Sequence, residues 1–170
     1  MKPRMALLLS MIFAAAALRL LPHPSNFEPV GALALFAGAH LEKKRAFLIP
    51  LAAMLLSDAV IGFHSQLPLV YGAFALIACM GLSLSGRLTA SAVTASAFAA
   101  SVLFFVVTNF GVWAFDSLYP HTVSGLIACY VAALPFFANT LAGTLFYTAL
   151  LFGGFALAER KLPVFAPAQG

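Results

Sequence analysis

Apolar runs follow one another along nearly the whole of this sequence, at 5–21, 29–41, 46–63, 67–86, 88–112 and 136–158. A helix needs roughly 20 residues to cross the hydrocarbon core of a bilayer, with about 17–25 tolerated. All the runs but one meet that length directly. The exception, 29–41, requires bilayer thinning, tilt or a polar cavity at one end. A soluble domain carries about 25% charged residues to face water. Here 8% of the 170 residues are charged and 63% are hydrophobic, with a mean hydropathy of +1.02. An outer face that apolar aggregates in water, so the solvent for most of this surface is lipid. The expected fold is all-α: a single polytopic transmembrane domain of about six helices over 1–161, followed by a short C-terminal tail at 162–170.

Charge placement orients the bundle. If Met1 lies in the cytoplasm and every run crosses, Lys2, Arg4, Lys43, Lys44, Arg45, Arg87, Arg160 and Lys161 fall inside. Of the nine Lys and Arg residues, Arg19 alone falls outside, as the positive-inside rule requires. This predicts both termini in the cytoplasm, with the chain in an inner membrane. A re-entrant 29–41 would move Lys43, Lys44 and Arg45 to the wrong side, so this run counts as a crossing. The segment TVSGLIACYVAALP, 122–135, is short for a seventh crossing and would put Arg160 and Lys161 outside. It is predicted to lie on or dip into the outer face, with Pro135 and Asn139 marking the entry to the last span. Lys2 and Arg4 ahead of an apolar run ending in Ala14–Ala17 also fit a secretory signal with a small-residue cleavage region; retention as a first span is the preferred reading.

The net charge of +4 and pI near 9.4 do not point to nucleic acid, because the basic residues form no stripe. Cys79 and Cys129 each sit inside an apolar run, far apart in sequence, and read as buried thiols. No ligand spacing, P-loop, nucleophile elbow or HExxH motif is present, so no catalytic residue, metal or cofactor is expected. Small residues recur four apart in 88–112, with Ser91, Ala95 and Ala99 on one line and Ala92, Ser96 and Ala100 on another. That spacing serves close helix packing, either within the bundle or against a partner.

Polar side chains concentrate at the outer end. Asp58, in LLSDAVIGFH, sits at membrane depth, where an ionisable group costs about 2.5–3.5 kcal/mol on insertion scales and faces a partner, cavity or substrate. It is read either as the partner of Arg19, pinning two helices, or as a solute contact. The loop LPHPSNFEPVG, 21–31, has three prolines that forbid a regular helix and presents His23, Asn26 and Glu28 from a stiff backbone. TNFGVWAFDSLYPHT, 108–122, adds Asn109, Trp113, Asp116, Tyr119 and His121; Trp113 and Tyr119 also fit an interfacial aromatic belt. His64 and Gln66 fall on the same side.

The stretches LPHPSNFEPVGALALFAGA, PLAAMLLSDAVIGFH and FFVVTNFGVWAFDSLYPHTVSGLIACYVAALPFFANTLAGTLFYTALLFG resemble an uncharacterised bacterial family of membrane transport proteins with no established substrate. The resemblance covers about 20–158. More distantly, the arrangement is similar to the substrate-binding S components of energy-coupling-factor (ECF) vitamin transporters, which have six helices, cytoplasmic ends and an outward pocket. PFFANTLAGTLFYTALL, 135–151, resembles the entry to the last helix of biotin-type S components, with Asn139-Thr140 in place of a Gly-Asp pair, so a biotin contact is not implied. Asp58 resembles an Asp late in the third helix of cobalamin-binding relatives. Where those have a cobalt-ligating cysteine, this chain has Tyr71, with Cys79 two turns further on. The family's docking pattern, Ala-x-x-x-Ala in the first helix, is replaced by Ala14–Ala17.

The resemblance implies a protein that binds a small polar or vitamin-like solute at its extracytoplasmic face for uptake, alone or with an energising module docked on small-residue helix faces. The expected contacts are His23, Asn26, Glu28, Asp58, Asn109, Trp113 and Asp116. The expected partners are the lipid bilayer and the solute. Two other classes stand beside it: a lipid-directed membrane enzyme, requiring His23 and Asp58 within hydrogen-bond reach, and an assembly subunit whose outer polar groups pair among themselves and leave no pocket.

Overall fold

The computed structural model describes residues 3–63, 65–162 and 164, and these form helices and connections with no strand. Lys2, His64 and most of the 162–170 tail lie outside the described residues. In chain order the helices are α1 (Pro3–Leu18), α2 (Val30–His40), α3 (Lys43–Ile61), α4 (Leu67–Leu84), α5 (Ala90–Phe115) and α6, which runs over Val123–Lys161 with a π-helical turn at Ala149–Gly153. Thr89 and Thr122 cap α5 and α6, each accepting a backbone N–H three residues on, from Ala92 and Gly125; this satisfies donors that a helix start otherwise leaves open.

α2 occupies the centre. It is apolar on every side, which suits only a helix enclosed on every side, and Val30 through Ala39 are all buried. α1, α3, α4, α5 and α6 all pack on it. The closest approach is to α4, where two glycines meet. A Cβ on Gly38 would lie 2.8 Å from the Gly81 Cα and closer still to the Ala78 carbonyl. The absence of side chains here lets the backbones touch, as small residues do between helices in lipid.

Two sets of contacts define the ends of the bundle. Arg4 pairs with Glu159 at 2.7 Å, so the start of α1 and the end of α6 lie together. At the other end Gln66 donates to Asp116 at 2.7 Å and Asn139 donates to the Ser25 carbonyl at 2.9 Å. Successive helices therefore run in alternating directions, and the basic clusters gather at the Arg4–Glu159 end.

Among the described residues three helices are long and apolar enough to cross a membrane: α4, α5 and α6. The expectation that nearly every run qualifies directly is corrected here. α1 has 16 residues and α2 has 11, or about 24 and 16 Å of helix against a core of about 30 Å. α3 has 19 residues, but it begins on Lys43, Lys44 and Arg45 and buries Asp58. The reading of 122–135 as a separate outer-face helix is also corrected. Those residues open α6, which passes through Pro135 without a break. Proline removes one backbone donor, a loss tolerated within a packed bundle where neighbours re-satisfy the backbone. The segment 5–21 is part of the bundle: Leu8 and Ile12 of α1 are fully buried. The two small-residue lines of α5 separate. Ala92, Ser96 and Ala100 are partly or fully buried, while Ser91, Ala95 and Ala99 are exposed.

Because the α2–α4 contact is backbone on backbone, Gly38→Val forces the helices apart. The expected loss is about 1–3 kcal/mol, read as a lowered Tm of detergent-purified protein, whereas Gly72→Ala, with open space around its Cα, leaves Tm unchanged.

Candidate functional site

α1 ends at Leu18, and its chain turns over Arg19, the only basic residue at this end among those described. The Arg19 side chain folds inward. Its Nη1 donates to Asp58 Oδ1 at 2.7 Å and to Ser57 Oγ at 2.6 Å, and its Nε donates to Glu28 Oε2 at 3.2 Å. Tyr71 on α4 donates its hydroxyl to the other Asp58 oxygen. Asp58 is 1% exposed, so a carboxylate stands inside the bundle with both oxygens hydrogen-bonded and a guanidinium against it. A buried charge requires such pairing. One network thus ties the α1 end, the proline loop, α3 and α4. The pairing of Asp58 with Arg19, one of the two readings open from the sequence, is present.

Beside this network lies a cavity of about 290 Å³, at the small end of the range for ligand sites. It sits over the start of α2, with Val30 and Gly31 in its lining. Arg19, Asn26 and Glu28 line it from the loop, Thr108 and Asn109 from α5, and Thr140 and Thr144 from α6; Phe104, Phe105 and Phe136 supply apolar wall. The shortness of α2 leaves this space open. The loop is held down on α6 at Gly143, where a Cβ would lie 3.0 Å from the Phe27 Cα. Asn26 takes a left-handed backbone, φ 63°, a conformation that asparagine tolerates better than most residues.

The charges across the cavity are unequal. Arg19 is matched by Asp58, which does not line the cavity, so Glu28, its side chain 33% exposed, leaves a surplus negative charge on the lining. Asn109 is turned partly to its own helix, with Nδ2 donating to the Phe105 carbonyl at 2.8 Å.

Of the expected contacts, the structure brings Asn26, Glu28 and Asn109 onto one cavity and leaves Asp58 directly behind it, through Arg19. His23, Trp113 and Asp116 are not among the residues lining this cavity. His23 has Nδ1 at 3.1 Å from the Pro24 carbonyl. Trp113 donates Nε1 to the Pro120 carbonyl at 3.0 Å, and Asp116 accepts from Gln66; both serve the α5–α6 connection, where His121 also packs on Trp113. The His23–Asp58 pair needed for a lipid-directed enzyme is not formed: His23 Nδ1 lies against the Pro24 carbonyl, and Asp58 accepts from Arg19 and Tyr71. Sequence reasoning missed Thr140 and Thr144, whose spacing of four on an apolar helix is the signal that puts both on one face. Among the described residues no group of three His, Cys, Asp or Glu side chains is placed to hold a metal ion.

Fold and site together define a class: an all-helical protein, with helices long and apolar enough to cross a membrane, that holds a buried ion network beside a small mixed-polarity cavity. The chain belongs to the family of unknown function DUF6580, which matches it over residues 1–165. No curated protein and no solved structure matches it.

Asp58→Ala takes its closest carboxylate from the Arg19 guanidinium, leaving Glu28 at 3.2 Å and Ser57, and takes the acceptor from the Tyr71 hydroxyl, with an expected loss of about 1.5–3 kcal/mol. The double variant Arg19→Met/Asp58→Leu removes both charges together and recovers most of that loss. Thermal unfolding of the two variants in the same detergent measures the difference, and equal loss in both would rule out the ion pair as the source.

Proposed function

We propose that this chain binds a small polar or vitamin-like solute in the cavity over α2 and serves its uptake across the bacterial inner membrane. The observation that carries this reading is the cavity itself, which collects Asn26, Glu28 and Asn109 on one lining together with Phe104, Phe105 and Phe136. The surplus charge of Glu28 favours a solute with a cationic or hydrogen-bond-donating part, and the phenylalanines favour a planar or apolar remainder. The Arg19 bonds described above run through Nε and Nη1, leaving Nη2 to meet a solute oxygen. An assembly subunit is less well supported, because its outer polar groups would pair off without leaving a cavity.

The topology that goes with this reading is six crossings with both termini in the cytoplasm. The cavity end then faces outward and the basic clusters face inward, in keeping with the positive-inside rule. α1 and α2 are short for a crossing, and their shortness at the outer end is what the cavity and the proline loop fill. The likeness to S components adds an energising module as a partner, and the exposed Ser91, Ala95 and Ala99 line of α5 is a surface suited to it.

Mass spectrometry of small molecules retained through gentle detergent purification identifies the solute. Glu28→Gln and Asn109→Ala are each expected to weaken its binding about tenfold, the worth of a single hydrogen bond to a charged or buried group. Full affinity in both variants would sink the site. For topology, single cysteines replacing Lys44 and His121, in a background lacking Cys79 and Cys129, are expected to react with an impermeant thiol reagent from opposite sides of the membrane; labelling from one side overturns the six-crossing arrangement.

A further inference from the structure

A second cavity, of about 790 Å³, lies at the opposite end of the bundle, between the start of α5 and the last turns of α6. Its lining brings together features from separate parts of the chain. The first is the α5 N-terminus, through Thr89, Ala90 and Thr94. The Thr89 side chain takes the Ala92 N–H and its carbonyl takes that of Val93, which leaves the Ala90 and Ser91 N–H groups without intrahelical acceptors. This terminus carries the positive end of the dipole of a 26-residue helix. The second is Thr148 of α6, which is 4% exposed and whose hydroxyl has no hydrogen-bond partner among the described residues. An unmade bond of this kind is unfavourable in a protein interior and is relieved by a ligand that supplies an acceptor. The third is Arg160, exposed on the same lining. Glu159, the one carboxylate there, is matched by Arg4 at 2.7 Å.

The π-helical turn at Ala149–Gly153 follows Thr148 directly, and its residues Ala149, Phe152 and Gly153 line the cavity. Single π-turns of this kind recur at functional sites. Besides His40 and the Arg4-matched Glu159, the polar lining consists of threonines, the α5 N–H groups and one cation unmatched among the described residues, a set that fits an anion. Leu88 on the lining is about half exposed, as are Leu150 and Leu157 on the same stretch of α6. A ligand entering here passes through an apolar surface and meets positive potential inside. Basic pockets between helices on the cytoplasmic side of a membrane recognise anionic headgroups by this combination.

We propose that this cavity is a binding site for an anionic phospholipid. The phosphate sits against the free N–H groups of α5 and the Arg160 guanidinium, the Thr148 hydroxyl donates to a glycerol or ester oxygen, and the acyl chains leave along the exposed leucines. The site is separate from the solute cavity and does not rest on its function.

The full chain, delipidated in detergent, is titrated by native mass spectrometry with phosphatidylglycerol, with phosphatidylcholine of the same acyl chains, and with inorganic phosphate. The expected result is retention of phosphatidylglycerol in preference to phosphatidylcholine, with no displacement by inorganic phosphate. Arg160 is exposed, so Arg160→Gln leaves the fold intact; it is expected to weaken phosphatidylglycerol binding about fivefold and to leave phosphatidylcholine unchanged. Thr148→Val weakens both lipids, and Ala156→Trp, which fills the cavity from an exposed position, abolishes retention even if Thr148→Val fails to fold. Equal retention of the two lipids, a phosphatidylglycerol preference that survives Arg160→Gln, or displacement by inorganic phosphate would overturn the proposal; the last outcome would mark a site for soluble anions instead.

Discussion

The fold depends on one geometric constraint: an 11-residue apolar helix stands at the centre of a bundle whose longest member has 39 residues. Every face of α2 must be covered, and the covering helices are all longer than it is. Where α4 approaches, the contact closes to backbone on backbone at Gly38 and Gly81. Where α2 begins, the longer helices continue past it, and the chain between α1 and α2 has to cover the gap. The proline loop does so, pinned to α6 by Asn139 and pressed against Gly143.

The ion network follows from the same constraint. A loop laid over the end of a short central helix brings Arg19 into the interior, and a guanidinium there requires acceptors. Asp58, Ser57 and Glu28 supply them from two directions, and Tyr71 completes the coordination of Asp58. The polar cluster therefore has a structural role that is complete without any ligand. By neutralising Asp58 it leaves Glu28 as the surplus charge on the cavity lining. At the opposite end the balance is reversed, since the carboxylate of Glu159 is matched and a cation is left over.

The helical character of the chain was legible from the apolar runs, and the Arg19–Asp58 pair from the presence of one unpaired cation and one deep acid on the same side. The continuity of α6 was not. Pro135 ends a helix in water, and hydropathy carries no mark of the neighbours that make it tolerable in a bundle. Trp113 and Asp116 looked available because their satisfying partners, the Pro120 carbonyl and Gln66, are brought near only by the turn and by α4. Thr140 and Thr144 were hidden by the opposite effect. A threonine in an apolar helix can satisfy itself on the preceding turn, as Thr140 does on the Phe136 carbonyl at 3.0 Å, so its presence betrays nothing about a cavity. The second cavity escaped notice because its main donors are backbone groups, which no side-chain inventory reveals.

The central position of α2 also bears on how the molecule is made. Chains emerge from their N-terminus, and elements fold in that order as they are synthesised. The helix destined for the middle appears before α4, α5 and α6, which cover most of it. Until they arrive, a short apolar rod with a bare glycine face has only α1 and α3 beside it. Its residence in the interior is a late event, and the nascent chain must shelter α2 before it has an interior to put it in.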